Sequence, residues 1–189
     1  MIRTKFMRMF SYKPLEDLQF EHDKSLIMQN ITNEKLFKFG NYAVLGVPAL
    51  MAYRIFSKYS LIGTFNFLFS SSILIGACMV TRAWLSFTDS FVKEIHLMKS
   101  GKHIEITNFG VMNNKYKVKI SDILNPEENL QTKVKMQHFG TWVIETKQGQ
   151  CFYVLQESQA FHKDVLKNIF KGVEIEVASQ KDKSDIIDI

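Results

Sequence analysis

The chain has 189 residues, 46% of them hydrophobic, with a formal net charge of +5, a size that suits one or two domains. The charge is spread along the whole length and not gathered into a patch, which argues against nucleic-acid binding. Two cysteines, Cys78 and Cys151, are too few and too far apart for a disulfide framework or a metal motif.

Residues Met1 to Leu15 carry Arg3, Lys5, Arg8 and Lys13 and no acid; the first acid is Glu16. An Arg-bearing, acid-free start is the composition of a mitochondrial targeting segment, and equally of a basic tail beside a membrane. Read as an address, it is one expected to be retained. Further on, SLIMQNITNEKLFKF places apolar side chains at Leu26, Ile27, Ile31, Leu36, Phe37 and Phe39. That spacing predicts an amphipathic helix or a helix leading into a membrane. Residues 1–35 thus form a basic, targeting-like and amphipathic first segment.

The stretch Tyr59–Thr81 is 23 residues without a charge, bounded by Lys58 and Arg82. As a helix it would be roughly 34 Å long, enough to cross a hydrocarbon core of about 30 Å. A partner span is predicted over about 36–56, with Lys38 and Arg54 snorkelling at its ends and a kink at Pro48. The short connection Ser57–Ser60 makes the two a transmembrane hairpin over 36–87, with spans at about 36–56 and 59–81. Ala43, Gly46, Ala49 and Ala52 recur every third residue, and Ser72 and Gly76 form a small-xxx-small pair; these are the candidates for close helix packing. Neither span holds an acid, so a proton or metal relay has no carrier. The lysine and arginine bias puts both termini on the positive side, the matrix in a mitochondrion. Arg82, Trp84 and Phe87 suit an interfacial anchor.

From Phe91 the apolar period becomes two. Val92, Ile95 and Leu97, then Ile104 and Ile106, then Tyr116, Val118 and Ile120 predict three strands, with Ser100-Gly101 as the first turn. Two more are predicted at Thr141–Thr146 and Cys151–Leu155, a helix over about 158–171 stopped by Gly172, and a short strand at Val173–Val177. The fold class is therefore membrane α+β: the two-helix hairpin, a small antiparallel β-domain over 91–177, pleckstrin-like in its order, with a C-terminal helix, and a tail over 178–189.

No constellation for chemistry stands out. His22, His96, His103, His138 and His162 form no ligand spacing, and there is no glycine-rich phosphate loop and no GxSxG. No catalytic, cofactor-binding or metal-binding residue is assigned, and no cofactor is expected. Lys115, Lys117 and Lys119 share one face of a strand. They could meet phospholipid headgroups, an acidic protein or plain solvent.

The strand–turn–strand Ile95–Gly110 (IHLMKSGKHIEITNFG) followed by Tyr116–Ile123 (YKVKISDI) resembles the mitochondrial inner-membrane two-span family that assists assembly of respiratory complexes and ATP synthase. The resemblance implies no catalytic residues. It implies a mitochondrial inner-membrane protein that is not an enzyme, acting as an accessory subunit of a respiratory-chain complex or as an assembly factor. Its partners would be other subunits and phospholipids such as cardiolipin, with no nucleic acid. A membrane-tethered lipid- or protein-binding module is the competing expectation.

Overall fold

The computed structural model describes residues 11–57, 64–126 and 141–177. Among them are seven strands and three helices: β1 (Lys24–Gln29), α1 (Glu34–Ser57), α2 (Thr64–Thr88), β2 (Val92–Met98), β3 (His103–Asn108), β4 (Lys115–Lys119), β5 (Thr141–Glu145), β6 (Cys151–Leu155), β7 (Gln159–Ala160) and α3 (Lys163–Phe170). The first sheet runs β4-β3-β2-β1-β7, and β5 and β6 pair separately. Antiparallel pairing holds throughout both sheets. Main-chain bridges from Phe91 to Tyr153 and from Ile123 to Thr146 tie the two sheets together.

The strand periodicity places β2 to β6 where the sequence predicts them. It does not find β1. Lys24–Gln29 reads as part of a helix, yet it pairs along β2, from Lys24 opposite Met98 to Gln29 opposite Glu94. His22 and Asp23 take positive φ values of 50° and 64°, which turns the chain sharply and starts the strand instead of a helix. A register shift between Leu26 and Met28 lets Ser25, Ile27 and Met28 all be buried, because a bulge resets which side chain faces the core. The two long helices are therefore an excursion between two neighbouring strands of one sheet.

The core collects Ile27, Ile95, Leu97, Ile104, Ile106, Ile120, Ile123, Ile144, Val165 and Ile169 among others. Branched aliphatic side chains at alternate strand positions fill the space between the sheets and α3. The predicted C-terminal helix is shorter than 158–171, because Gln159–Ala160 pairs with β1 as β7. It ends as expected at Gly172, where φ is +72° and a Cβ would stand 2.8 Å from the Ile123 carbonyl oxygen. In place of a full strand at Val173–Val177, Ile175 forms a single parallel bridge to Tyr12. Tyr12 N donates to Glu174 O at 2.8 Å and Glu176 N donates to Tyr12 O at 2.7 Å. The Tyr12 hydroxyl and the Leu15 amide both donate to Asp164 at the start of α3, at 3.0 and 3.2 Å. The two ends of the described chain are thus side by side.

The expected two-helix transmembrane hairpin, with spans at 36–56 and 59–81, is corrected by the helices themselves. Among the described residues only α2 is long and apolar enough to cross a bilayer, over Asn66–Thr88. α1 begins with Glu34, Lys35 and Lys38, ends near Arg54, and carries Gly40, Asn41, Gly46 and Pro48 between, which dilutes its apolar content. α2 continues past Thr81 to Thr88, because Ala83 to Phe87 contain no helix breaker. The helix stops only where Asp89 and Ser90 turn the chain, with Asp89 N still donating to Leu85 O at 3.0 Å. Residues 58–63, which include the predicted connection beyond Ser57, and 178–189, the predicted tail, lie outside the described residues.

Candidate membrane anchor and its joint to the sheet

α1 and α2 lie antiparallel along a seam spaced alternately by four and three residues. On α1 the covered positions are Phe37, Asn41, Val44, Pro48, Met51 and Ile55; on α2 they are Ser70, Leu74, Ala77, Thr81, Trp84 and Thr88. This spacing is that of two helices packed side by side. Two polar contacts fix the register. Thr81 Oγ1 lies 3.0 Å from Val44 O and 2.9 Å from Ala77 O on its own helix. Trp84 Nε1 donates to Asn41 Oδ1 at 3.0 Å. Gly40 makes room for the indole, since a Cβ there would stand 2.6 Å from Trp84 Cζ2.

The outward faces are apolar. Leu36, Phe39, Tyr42, Leu50, Tyr53 and Phe56 of α1 are exposed, as are Leu68, Phe69, Ile75, Met79 and Val80 of α2. Fifteen of the twenty-one large hydrophobic side chains exposed among the described residues belong to these two helices. Covering each such side chain is worth about 1.5–3 kcal/mol, and a continuous patch of this size marks a surface that meets something other than water.

The joint between helices and sheet is built from rings and one carboxylate. Phe37 of α1 stacks on Phe109 after β3 at 4.4 Å and packs against Phe91 at 5.6 Å. Phe91 also meets Phe87 at 4.6 Å and Tyr153 of β6 at 5.6 Å. Buried Asn41 donates to Phe109 O at 3.0 Å, so one side chain joins α1, α2 and the sheet. Asp89, one residue past α2, accepts from Asn114 Nδ2 at 3.0 Å and from the Tyr116 hydroxyl at 2.9 Å. Its carbonyl accepts from Asn108 Nδ2, and its carboxylate sits against Gly110, where a Cβ has no space. Burial first, then the hydrogen bond to Asp89, raises the Tyr116 phenol above its ordinary value. On the other side, Glu34 of α1 lies 3.3 Å from Lys93 Nζ of β2 and 2.8 Å from Lys38 Nζ.

The residues singled out from sequence fall in three places. Ala43 and Ala49 are exposed, Gly46 has nothing within 4 Å of a Cβ position, and Ala52 is half-buried. Gly76 is likewise open, and exposed Ser72 donates back to Leu68 O at 2.9 Å. These small residues lie mostly off the α1–α2 seam. Trp84 is at the seam and Arg82 is exposed on α2. Lys115, Lys117 and Lys119 all lie exposed on β4, an edge strand of the first sheet. Lys115 is 3.9 Å from Glu105. Lys117 and Lys119, with His103, Thr146, Gln148 and Gln150, border a cleft of about 390 Å³. Lysines on an edge strand also discourage edge-to-edge pairing.

Of the histidines, His96 stands opposite Glu105 and His103 opposite Lys119. Burial pushes the His96 imidazole below its ordinary value, and its buried Nδ1 has no hydrogen-bond partner. Among the described residues no group of three His, Cys, Asp or Glu side chains is placed to hold a metal ion. Sequence reading missed Asn41 and Asp89. The available signal was a lone Asn in an apolar run and an Asp closing the apolar helix.

No family model matches the chain, and no curated protein matches it. The likeness at Ile95–Gly110 and Tyr116–Ile123 therefore rests on the pattern of those residues alone.

Proposed function

We propose that this chain is a non-catalytic, membrane-anchored protein of the mitochondrial inner membrane, with α2 as its lipid-embedded element and the β-domain as the part that binds a respiratory-chain complex. The observation that carries the anchor is the exterior of α2. Over Asn66–Thr88 the large apolar side chains Leu68, Phe69, Ile73, Ile75, Met79, Val80 and Phe87 are exposed, although this is the most apolar helix among the described residues. In water that exposure would be costly; in lipid it is the expected arrangement. Arg82 can extend its charged head to the headgroup level, and Trp84 and Phe87 suit the interface beside it. The acid-free basic start at Met1–Leu15 supports a mitochondrial address, and the aromatic joint supports a domain carried rigidly on its anchor.

The test is mass spectrometry of mild-detergent mitochondrial complexes separated on a native gel. Comigration with one mature respiratory complex at equal stoichiometry is the expected result and makes the chain an accessory subunit. Presence only in smaller, precursor-sized bands makes it an assembly factor. Absence from mitochondria overturns both. The cleft beside Lys117 and Lys119 would then favour a tethered module that binds an anionic lipid or protein.

A further inference from the structure

The β3–β4 turn is chemically unlike an ordinary surface turn. Its sequence, Gly110-Val111-Met112-Asn113, puts two apolar side chains at the tip, where small polar residues usually stand. Met112 is 84% exposed and Val111 49% exposed. Asn113 holds a positive φ of 46°, which leaves its two apolar neighbours at the apex.

The turn is also held in place. Val111 and Met112 border a cleft of about 270 Å³ shared with Leu85, Ser86 and Asp89 at the end of α2. Asp89 grips both flanks of the turn, through Gly110 on one side and through Asn114 and Tyr116 on the other. Asn41 holds Phe109 O just before it. The apex therefore sits level with the last turn of α2, beside Leu85, Ser86 and Asp89. Val111 and Met112 thus stand exposed at the same end of α2 as the exposed Phe87.

We infer that Val111 and Met112 form a second membrane contact, a wedge that enters the interfacial layer of the same leaflet that the C-terminal turns of α2 meet. The inference rests on the reading of α2 as lipid-embedded, and it adds a fixed orientation for the β-domain. A domain tethered at one point can swing. One tethered at α2 and seated on the bilayer through an adjacent apolar tip presents a single face to its partners. Lys115, the first residue of β4, then stands at headgroup height, where its charge favours an anionic lipid.

The test uses the full chain reconstituted into vesicles of phosphatidylcholine and cardiolipin. An environment-sensitive fluorophore is attached through Met112→Cys in a Cys78→Ala, Cys151→Ala background, with Met79→Cys on α2 and Gln148→Cys on the distal turn labelled in parallel. The expected result is blue-shifted emission from positions 79 and 112, both quenched by spin-labelled lipid, with position 148 unquenched. A quenched label at 79 with a water-like, unquenched label at 112 overturns the wedge and leaves the anchor standing. Unquenched labels at both positions overturn the lipid reading itself. A photo-crosslinking amino acid in place of Met112, in otherwise unaltered chain in native membranes, gives an independent readout. Adducts to lipid support the wedge; adducts to protein alone overturn it.

Discussion

The helix pair and the β-domain use the same apolar side chains in opposite ways. In the β-domain Ile95, Ile104 and Ile144 have no accessible surface, and the strand lysines point outward. On α2 Ile75 is 62% exposed and Leu68 60% exposed, while Thr81 and Trp84 are turned toward α1. An apolar interior is the signature of a structure that folds in water. An apolar exterior with hydrogen bonds at the helix contact is that of one that folds in lipid. On the proposal that α2 is lipid-embedded, the difference lies in the surroundings each region is built for, and it can be broken experimentally by making matched changes at isoleucines in the two regions.

The largest effect is expected in the sheet. Ile95→Ala should cost about 2–5 kcal/mol through lost transfer energy and the cavity left behind. It should appear as a large drop in the midpoint of thermal unfolding in mild detergent. Ile75→Ala should shift that midpoint little. Ile75→Arg sharpens the contrast. At an exposed site in water it would change stability by no more than about 0.5 kcal/mol; at the centre of a lipid-embedded helix it should cost about 2.5–3.5 kcal/mol. Alkaline carbonate extraction should then release the variant where the native protein stays in the pellet. Equal retention of both would show that α2 does not depend on lipid.

The two regions also differed in how far their sequences could be read. β3, β4 and β6 are legible because their apolar residues alternate, as in Ile104 and Ile106 or Phe152 and Val154, and β2 and β5 because they are short runs rich in branched and aromatic residues. α2 was legible because nothing between Tyr59 and Thr81 carries charge. β1 was not, because Leu26, Ile27 and Met28 run together and hide the period of two. Only the bulge opposite Ile95 explains how Ile27 and Met28 can both be buried. The helix seam is only partly legible for a related reason. Ala43, Gly46, Ala49 and Ala52 follow a period of three, which drifts off a four–three seam, whereas Asn41 and Val44 stay on it. The joint could not be read at all, since Asn41, Trp84 and Phe109 are far apart in sequence and meet only through the fold.

That joint offers the next test. Asn41→Ala removes the acceptor of Trp84 and the donor to Phe109 O, leaving both groups without their buried partner. A loss of about 2 kcal/mol is expected. Trp84→Phe removes one of the same bonds, so the double variant should lose less than the sum of the singles. If the losses simply add, the helices and the sheet are not coupled through this side chain.

The smallest effects are electrostatic, and two of them lie in the β-domain. Glu105 is held below the usual carboxylate range first by the hydrogen bonds from Lys24, at 2.8 and 2.7 Å, and then by the nearby charges of Lys24 and Lys115. A depressed carboxyl stabilises the fold at pH above its unfolded value of about 4.3, and that contribution fades as pH falls through the lower, folded value. His96 acts at higher pH. Its burial disfavours the imidazolium, with Glu94 and Glu105 opposing and Lys24 and Lys115 reinforcing. As pH falls through about 6.5, the unfolded chain takes up a proton that the folded chain resists, so stability declines there first. A partly exposed pair such as Lys24–Glu105 is worth about 0.5–1 kcal/mol. Thermal unfolding followed from pH 8 to pH 3 should therefore fall in two steps. His96→Gln should remove the upper one, and Glu105→Gln should shrink the lower, which Glu34 and Asp164, also held below their ordinary values, share. Because both groups lie in the sheet, neither substitution should alter carbonate extraction. A change in extraction on losing either charge would mean that the sheet, and not α2 alone, holds this protein in the membrane.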